Sequence, residues 1–311
     1  MDGGQNSAGV PVRFKAADGF ELGGGFWRAE IAGHPAETVI INSATSVRCR
    51  YYARFASYLC RHGFNVLTYD YRGIGASGLS ALKGFDADWA DWGEKDFEAA
   101  LQFALLEAAG ADVHVVAHSI GGFALGLASS NVRLKRVVTV GAQYAHWRDY
   151  AAHKRLEMIA KWHVVMPLLS HIFGYFPAKR LRWMEDTPKG VALDWARMGP
   201  RFEDSLRKGR RGLGRTPANE LVNRCRAMKA DLLAINMTDD EFATPAAAER
   251  LLRYFEGCHR YQLRISPDDI GEPIGHFAFF HDRFQACLWP LVLGWLQHRK
   301  VPEPFQPIAF L

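Results

Sequence analysis

Cysteine is scarce in this chain of 311 residues: five are scattered at positions 49, 60, 225, 258 and 287, with no Cys-x-x-Cys pair among them. An odd, widely spaced set gives no disulfide framework and no zinc site, so buried free thiols are the expectation. Long hydrophobic runs are missing as well. No stretch approaches the roughly eighteen uninterrupted apolar residues of a membrane-spanning helix. Met1 to Val10 is polar and glycine-rich, without the basic start and apolar core of a secretory signal, so a cytoplasmic location is expected. Internal repeats and low-complexity linkers are absent. What is present, 49% apolar and 23% charged residues, is ordinary for a globular chain and leaves out disordered and collagen-like classes. The length suffices for one large α/β domain with an insertion.

The net charge of +5 is unevenly spread. Between Tyr144 and Lys229, 18 Lys and Arg stand against 8 Asp and Glu, so this segment carries +10 and the rest of the chain −5. Such asymmetry suits an anionic substrate or membrane surface, met by Arg207, Lys208, Arg210, Arg211 and Arg215, or simply a solvated helical surface. A nucleic-acid partner is not expected, because the basic run lacks interleaved aromatics and no known binding helix is present.

Val12 to Ala16 and Leu22 to Arg28 flank Asp18-Gly19 and read as an antiparallel hairpin. Buried strands are expected at 38–41, 64–69, 113–116, 136–140, 231–236 and 261–265. Helical patterns lie between them, at 50–61, 95–107, 122–129, 245–255 and 284–297. Eight strands alternating with helices imply right-handed crossovers and an α/β fold with a doubly wound, mostly parallel sheet covered on both faces. From Tyr144 to Lys229 strand-like runs become scarce. Trp147, Trp162, Trp183 and Trp195 appear there among Met158, Met166, Met184 and Met198, and Pro167, Pro177, Pro188, Pro200 and Pro217 divide the segment into short helices. Residues 1–143 and 230–311 are accordingly assigned to an α/β core and 144–229 to a helical insertion.

Chemistry concentrates at Ala117-His118-Ser119-Ile120-Gly121. A valine-rich strand that turns into a helix through small-x-Ser-x-Gly is a nucleophile elbow, whose tight turn exposes the serine hydroxyl. A serine becomes nucleophilic only when an imidazole takes its proton and a carboxylate fixes that imidazole. In a doubly wound sheet these follow the serine in the order acid, then histidine, on loops after later strands. Asp239 and Asp240 follow the strand ending at Asn236, and His276 follows the strand near Tyr261, after Gly275. Asp240 is favoured over Asp239, with the apolar Phe242 expected to anchor under the sheet edge. The competing role for either aspartate is to cap the helix that begins at Pro245. Two backbone N–H groups must hold the developing oxyanion. Ile120, at the helix start, supplies one; Ala44, in the loop after the 38–41 strand, is chosen for the other, with Asn42 and Ser43 as positioning groups.

With these residues in place, the chain resembles the α/β-hydrolase superfamily over nearly its whole length. Tyr69-Asp70-Tyr71-Arg72-Gly73-Ile74-Gly75-Ala76-Ser77 is similar to that superfamily's Asp-x-Arg-Gly-x-Gly-x-Ser loop after the fourth strand. Asn42-Ser43-Ala44-Thr45, Asp91-Trp92-Gly93 and Gly275-His276-Phe277-Ala278-Phe279-Phe280 resemble a bacterial branch of serine hydrolases related to monoacylglycerol-lipase-like enzymes. Ala117 and Ser43 depart from it by standing where glycine is usual. The resemblance implies an eight-stranded α/β-hydrolase fold, a triad of Ser119, His276 and Asp240, and a helical lid in the segment after the sixth strand.

The expected function is a serine esterase without cofactor or metal, cleaving a small-molecule carboxylic ester with an apolar acyl or aryl group through an acyl-enzyme. The same triad could instead serve a thioester, amide or carbon–carbon bond, or acyl transfer. An alternative of another class is a non-catalytic binding protein that keeps the fold.

Overall fold

A computed structural model of the chain describes residues 9–30, 35–205 and 216–310. The basic residues Arg207, Lys208, Arg210, Arg211 and Arg215 lie outside the described residues. Its centre is a nine-stranded sheet. The strands are β1 (Val10–Lys15), β2 (Glu21–Trp27), β3 (Thr38–Asn42), β4 (Asn65–Tyr69), β5 (Val113–His118), β6 (Leu134–Val140), β9 (Asp231–Met237), β10 (His259–Ile265) and β11 (Ile308–Ala309). Two short strands, β7 (Tyr175–Phe176) and β8 (Thr187–Pro188), pair separately. The order across the sheet is β1-β2-β4-β3-β5-β6-β9-β10-β11. The pairs from β4 through β3, β5, β6 and β9 to β10 are parallel, while β1–β2, β2–β4 and β10–β11 are antiparallel. The eight expected strands are all present. The ninth is the two-residue β11, too short and exposed to leave a pattern in the sequence.

β3, β4 and β5 are buried along their whole length because helices cover both faces of the sheet. Alternate side chains separate the two layers. Val39, Ile41, Val66 and Val116 pack with Phe55 and Leu59 of the helix Ala53–Arg61 and with Trp289 and Trp295 of the helix Trp289–His298. Ile40, Leu67 and Val115 pack on the other face with Phe97, Leu101 and Phe123. Helix ends differ from expectation where local chemistry intervenes. The last helix starts at Trp289 rather than near 284, with Pro290 in its first turn. The elbow helix is regular only over Gly121–Ala124 and tightens into a 3₁₀ turn at Leu125–Leu127.

The loop after β4 is a brace. Asp70 accepts from the backbone N–H groups of Cys49 (2.6 Å) and Ala76 (2.7 Å), and the Ser77 hydroxyl donates to the Asp70 carbonyl (2.5 Å). Arg72 donates from Nε to Asp96 (2.7 Å), and its guanidinium also reaches Asp18 (2.7 Å).

The described residues of 144–229 follow β6 and form a run of helical turns from 155 to 173, then the helices Lys189–Ala196, Phe202–Ser205 and Ala218–Ala227. Pro188 and Pro217 stand at helix N-caps, whereas Pro167 lies inside the continuous run, tolerated in the first turn of Met166–Phe173. The segment is tied to loops at the strand ends: Thr187 to Ser46 (2.6 Å), Glu185 to Arg48 (2.8 Å) and Asp194 to the Trp89 N–H (3.3 Å). All five cysteines are unpaired. No helix among the described residues is long and apolar enough to cross a membrane.

Candidate active site

Ser119 sits at the C-terminal end of β5 with φ +56°, a left-handed conformation unusual for a residue with a side chain. The turn is pinned by its N–H donating to the Val140 carbonyl (3.1 Å) and its carbonyl accepting from the Gly122 N–H (3.0 Å). Gly121 is required for a reason the motif alone does not reveal. A Cβ there would stand 2.5 Å from the Asn42 carbonyl oxygen and 2.9 Å from that of Ser43, so the loop after β3 is what demands the missing side chain. Asn42 holds that loop: its Nδ2 donates to the Gly121 carbonyl (2.8 Å) and its Oδ1 accepts from the hydroxyls of Tyr69 (2.6 Å) and Tyr71 (2.8 Å).

Three of the expected residues meet. His276 Nε2 lies 3.0 Å from Ser119 Oγ, and His276 Nδ1 lies 2.7 Å from Asp240 Oδ2. The Asp240 side chain is 0% exposed. Burial alone would raise its carboxyl, but the charge and hydrogen bond of His276 and the N–H groups of Ala243 (3.0 Å) and Phe242 (2.8 Å) outweigh it and hold the group below the usual carboxylate range. Gly141, at φ +56°, makes room for the pair: a Cβ there would stand 3.0 Å from Asp240 Oδ2 and 3.3 Å from His276 Nδ1.

Neighbouring expectations need correction. Neither aspartate caps the helix Pro245–Leu252; its N-cap is Thr244. Asp239 instead accepts from the N–H groups of Ile274 and Gly275, both at 2.9 Å, and so fixes the loop that carries His276. Phe242 does not anchor under the sheet edge. Its ring packs on that of His276, with centroids 4.8 Å apart, and on Trp162, at 6.2 Å. The Ala44 amide, chosen as an oxyanion donor, gives its one proton to the Tyr52 hydroxyl (3.0 Å). The cause is a tyrosine eight positions on, buried by the tertiary fold and invisible to a reading of the loop. Ile120, directly after Ser119, is the N-cap of the helix Gly121–Ala124.

Tyr52 and His118 are the residues that sequence reasoning missed, although His118 occupies the x position of the elbow. His118 Nε2 lies 2.8 Å from the His276 carbonyl, which only accepts, so this nitrogen carries the proton. Nδ1 is then the acceptor for the Tyr52 hydroxyl at 2.8 Å. One hydrogen-bonded line thus runs from the Ala44 amide through Tyr52 and His118 to the backbone of His276, joining three loops of the site. Burial, reinforced by the neighbouring His276, pushes His118 down to about 3. In the unfolded chain a histidine titrates near 6.5, so between those values the unfolded state binds a proton that the fold refuses. Stability should therefore fall as pH drops below about 6.5, and the loss should be shallower in His118→Asn. Urea denaturation of both proteins from pH 7 to pH 4.5 tests this; equal slopes would show that His118 does not govern it.

The Ser119–His276 pair opens into a cleft of about 310 Å³. Trp162, Trp183, Met184 and Trp195 from the 144–229 segment line it together with Phe242 and Phe277. Trp162 and Trp195 stack at 4.8 Å and Trp183 meets Trp162 edge-on at 5.6 Å.

A sequence profile described as "Alpha/beta hydrolase family" matches residues 33–286. No curated protein is significantly similar in sequence. Among solved structures, a soluble variant of monoglyceride lipase from Saccharomyces cerevisiae superposes with TM-score 0.68 at 14% identity, covering 96% of this chain and 98% of that one. An esterase from Pyrococcus furiosus gives TM-score 0.55 at 14% identity over 96% and 93% of the two chains. The esterase domain of a Rhodothermus marinus protein gives 0.54 at 17% identity over 93% and 98%. At such identities the likeness is one of fold. The profile spans most of the chain and agrees with that fold: this protein is an enzyme of the alpha/beta hydrolase family.

Proposed function

We infer that the enzyme cleaves small carboxylic esters through an acyl-enzyme at Ser119. The observation that carries this reading is the unbroken line Asp240–His276–Ser119, at 2.7 and 3.0 Å, opening into an aromatic cleft. His276 accepts the Ser119 proton through Nε2 as Oγ attacks the carbonyl carbon, then returns it to the departing alcohol. A water molecule activated by the same nitrogen releases the acid. Asp240, kept ionised, fixes the proton on His276 Nδ1 and stabilises the imidazolium. The Ile120 N–H, at the start of the elbow helix, faces the charge that develops on the carbonyl oxygen. Residues 144–229 act as a lid that shields the acyl-enzyme from bulk water and supplies the apolar wall. The esterase and lipase names of the structural neighbours support an ester as the bond.

A panel of p-nitrophenyl esters from acetate to palmitate tests the reading. Activity should peak at short or aryl acyl groups, because about 310 Å³ is at the small end of ligand clefts. Silence across the panel would overturn an ester substrate.

A further inference from the structure

The geometry points to a substrate, or its leaving group, that carries an anionic oxyacid group beside a compact apolar body, with Lys161 and Arg182 as its recognition pair. This rests on the hydrolase reading above and narrows its substrate class. The cleft at Ser119 has an aromatic wall, yet two cations lie in that wall. Lys161 Nζ sits 4.8 Å from the ring centroid of Trp162 and 4.3 Å from that of Trp183. The ammonium of this half-buried residue thus rests over two indoles that line the cleft. Arg182 precedes Trp183 in a loop held by two backbone bonds, Arg182 N–H to Lys179 O (3.0 Å) and Trp183 N–H to Ala178 O (3.1 Å). Its φ of +56° is a conformation that a side-chain-bearing residue keeps only when its surroundings impose it.

Position at the cleft singles out this pair. Lys179 and Arg48 share Glu185, at 2.9 and 2.8 Å, and Lys154 pairs with Glu157 at 3.2 Å, while Arg148, Arg155, Arg180, Lys189 and Arg197 do not line the cleft. Among the described residues neither Lys161 nor Arg182 has a carboxylate within ion-pair distance, and no Asp or Glu lines the cleft. Asp240 lies behind His276 and is engaged by it. Two positive charges without a carboxylate at an aromatic-lined cleft, Lys161 half-buried and Arg182 exposed, set up an attractive field for an anion. A neutral long-chain ester would make no use of them, and the cleft is small for such a chain. A carboxylate and a phosphate share the required chemistry.

The test uses Ser119→Ala protein, in which binding is read without turnover, and follows the fluorescence of the cleft tryptophans. The probes are 4-phenylbutyrate, 3-phenylpropyl phosphate and the neutral 4-phenylbutanamide. At low salt at least one anion should bind about tenfold or more tightly than the amide, and that ratio should shrink as salt is raised. Adding Lys161→Met and Arg182→Gln, singly and together, should bring the ratio towards one; methionine keeps the apolar contact with the indoles, and circular dichroism checks the fold. The stronger of the two anions identifies the oxyacid. Equal affinity for the amide and both anions, a preference that survives the double replacement, or no binding by any probe would each overturn the assignment. Anion-selective binding in a protein silent towards esters would instead fault the ester reading alone.

Discussion

Replacing Ser119 by alanine is expected to lower kcat for p-nitrophenyl esters by about 10⁴- to 10⁶-fold and to abolish labelling by a fluorophosphonate. The proposed nucleophile is one oxygen atom, Ser119 Oγ, with His276 Nε2 3.0 Å away as its base. His276→Ala should cost about as much, and the double variant no more than either, because nucleophile and base act as one unit. Asp240→Asn should cost up to about 10⁴, since an amide NH₂ facing Nδ1 favours the wrong tautomer of the ring. Additive losses in the double variant, or a Ser119→Ala protein that still takes the label, would place the chemistry elsewhere.

The largest effect on stability should come from Arg72→Met. Arg72 and Asp96 are 4% and 0% exposed at the side chain, and Asp96 accepts both from Arg72 Nε (2.7 Å) and from the Arg72 N–H (2.9 Å). Removing the guanidinium leaves a buried carboxylate without its cation, a loss of about 3–5 kcal/mol. Replacing both residues, as Arg72→Met with Asp96→Leu, should recover much of that loss, because the paired charges themselves gain little over an apolar pair. Urea denaturation of the three proteins measures the coupling; a double variant as unstable as the single one would show that the pair's other contacts, including Asp18 at 2.7 Å, matter more than the isolated charge.

That pair also shows what a motif conceals. Asp70, Arg72 and Ser77 were legible as a superfamily loop, yet their work is to brace the end of β4, through bonds to Cys49, Ala76, Asp96 and Asp18. The strands were legible because two-sided burial selects unbroken Val and Ile runs, as in Val39-Ile40-Ile41. That Ser119 and His276 would meet was legible because a doubly wound fold brings the elbow and a later strand-end loop to one end of the sheet. The role of Asp239 was not. The sequence favoured Asp240 for the imidazole but left Asp239 only a capping role, and it is the approach of Ile274 and Gly275 that makes Asp239 the residue that holds the loop.

The succession of strands along the chain, the elbow and the acid-then-histidine succession were determined by the sequence itself, since each depends on residues within a few positions of one another or on their order along the chain. Tertiary structure alone decided that the Ala44 amide is held by Tyr52, that His118 joins three loops, and that Lys161 and Arg182 line the cleft. The physical reason is distance along the chain. Ser119 and His276 are 157 positions apart and His118 lies 66 from Tyr52, and hydrogen bonding and charge balance are set by such neighbours, which exist only once the sheet has brought its strand ends together.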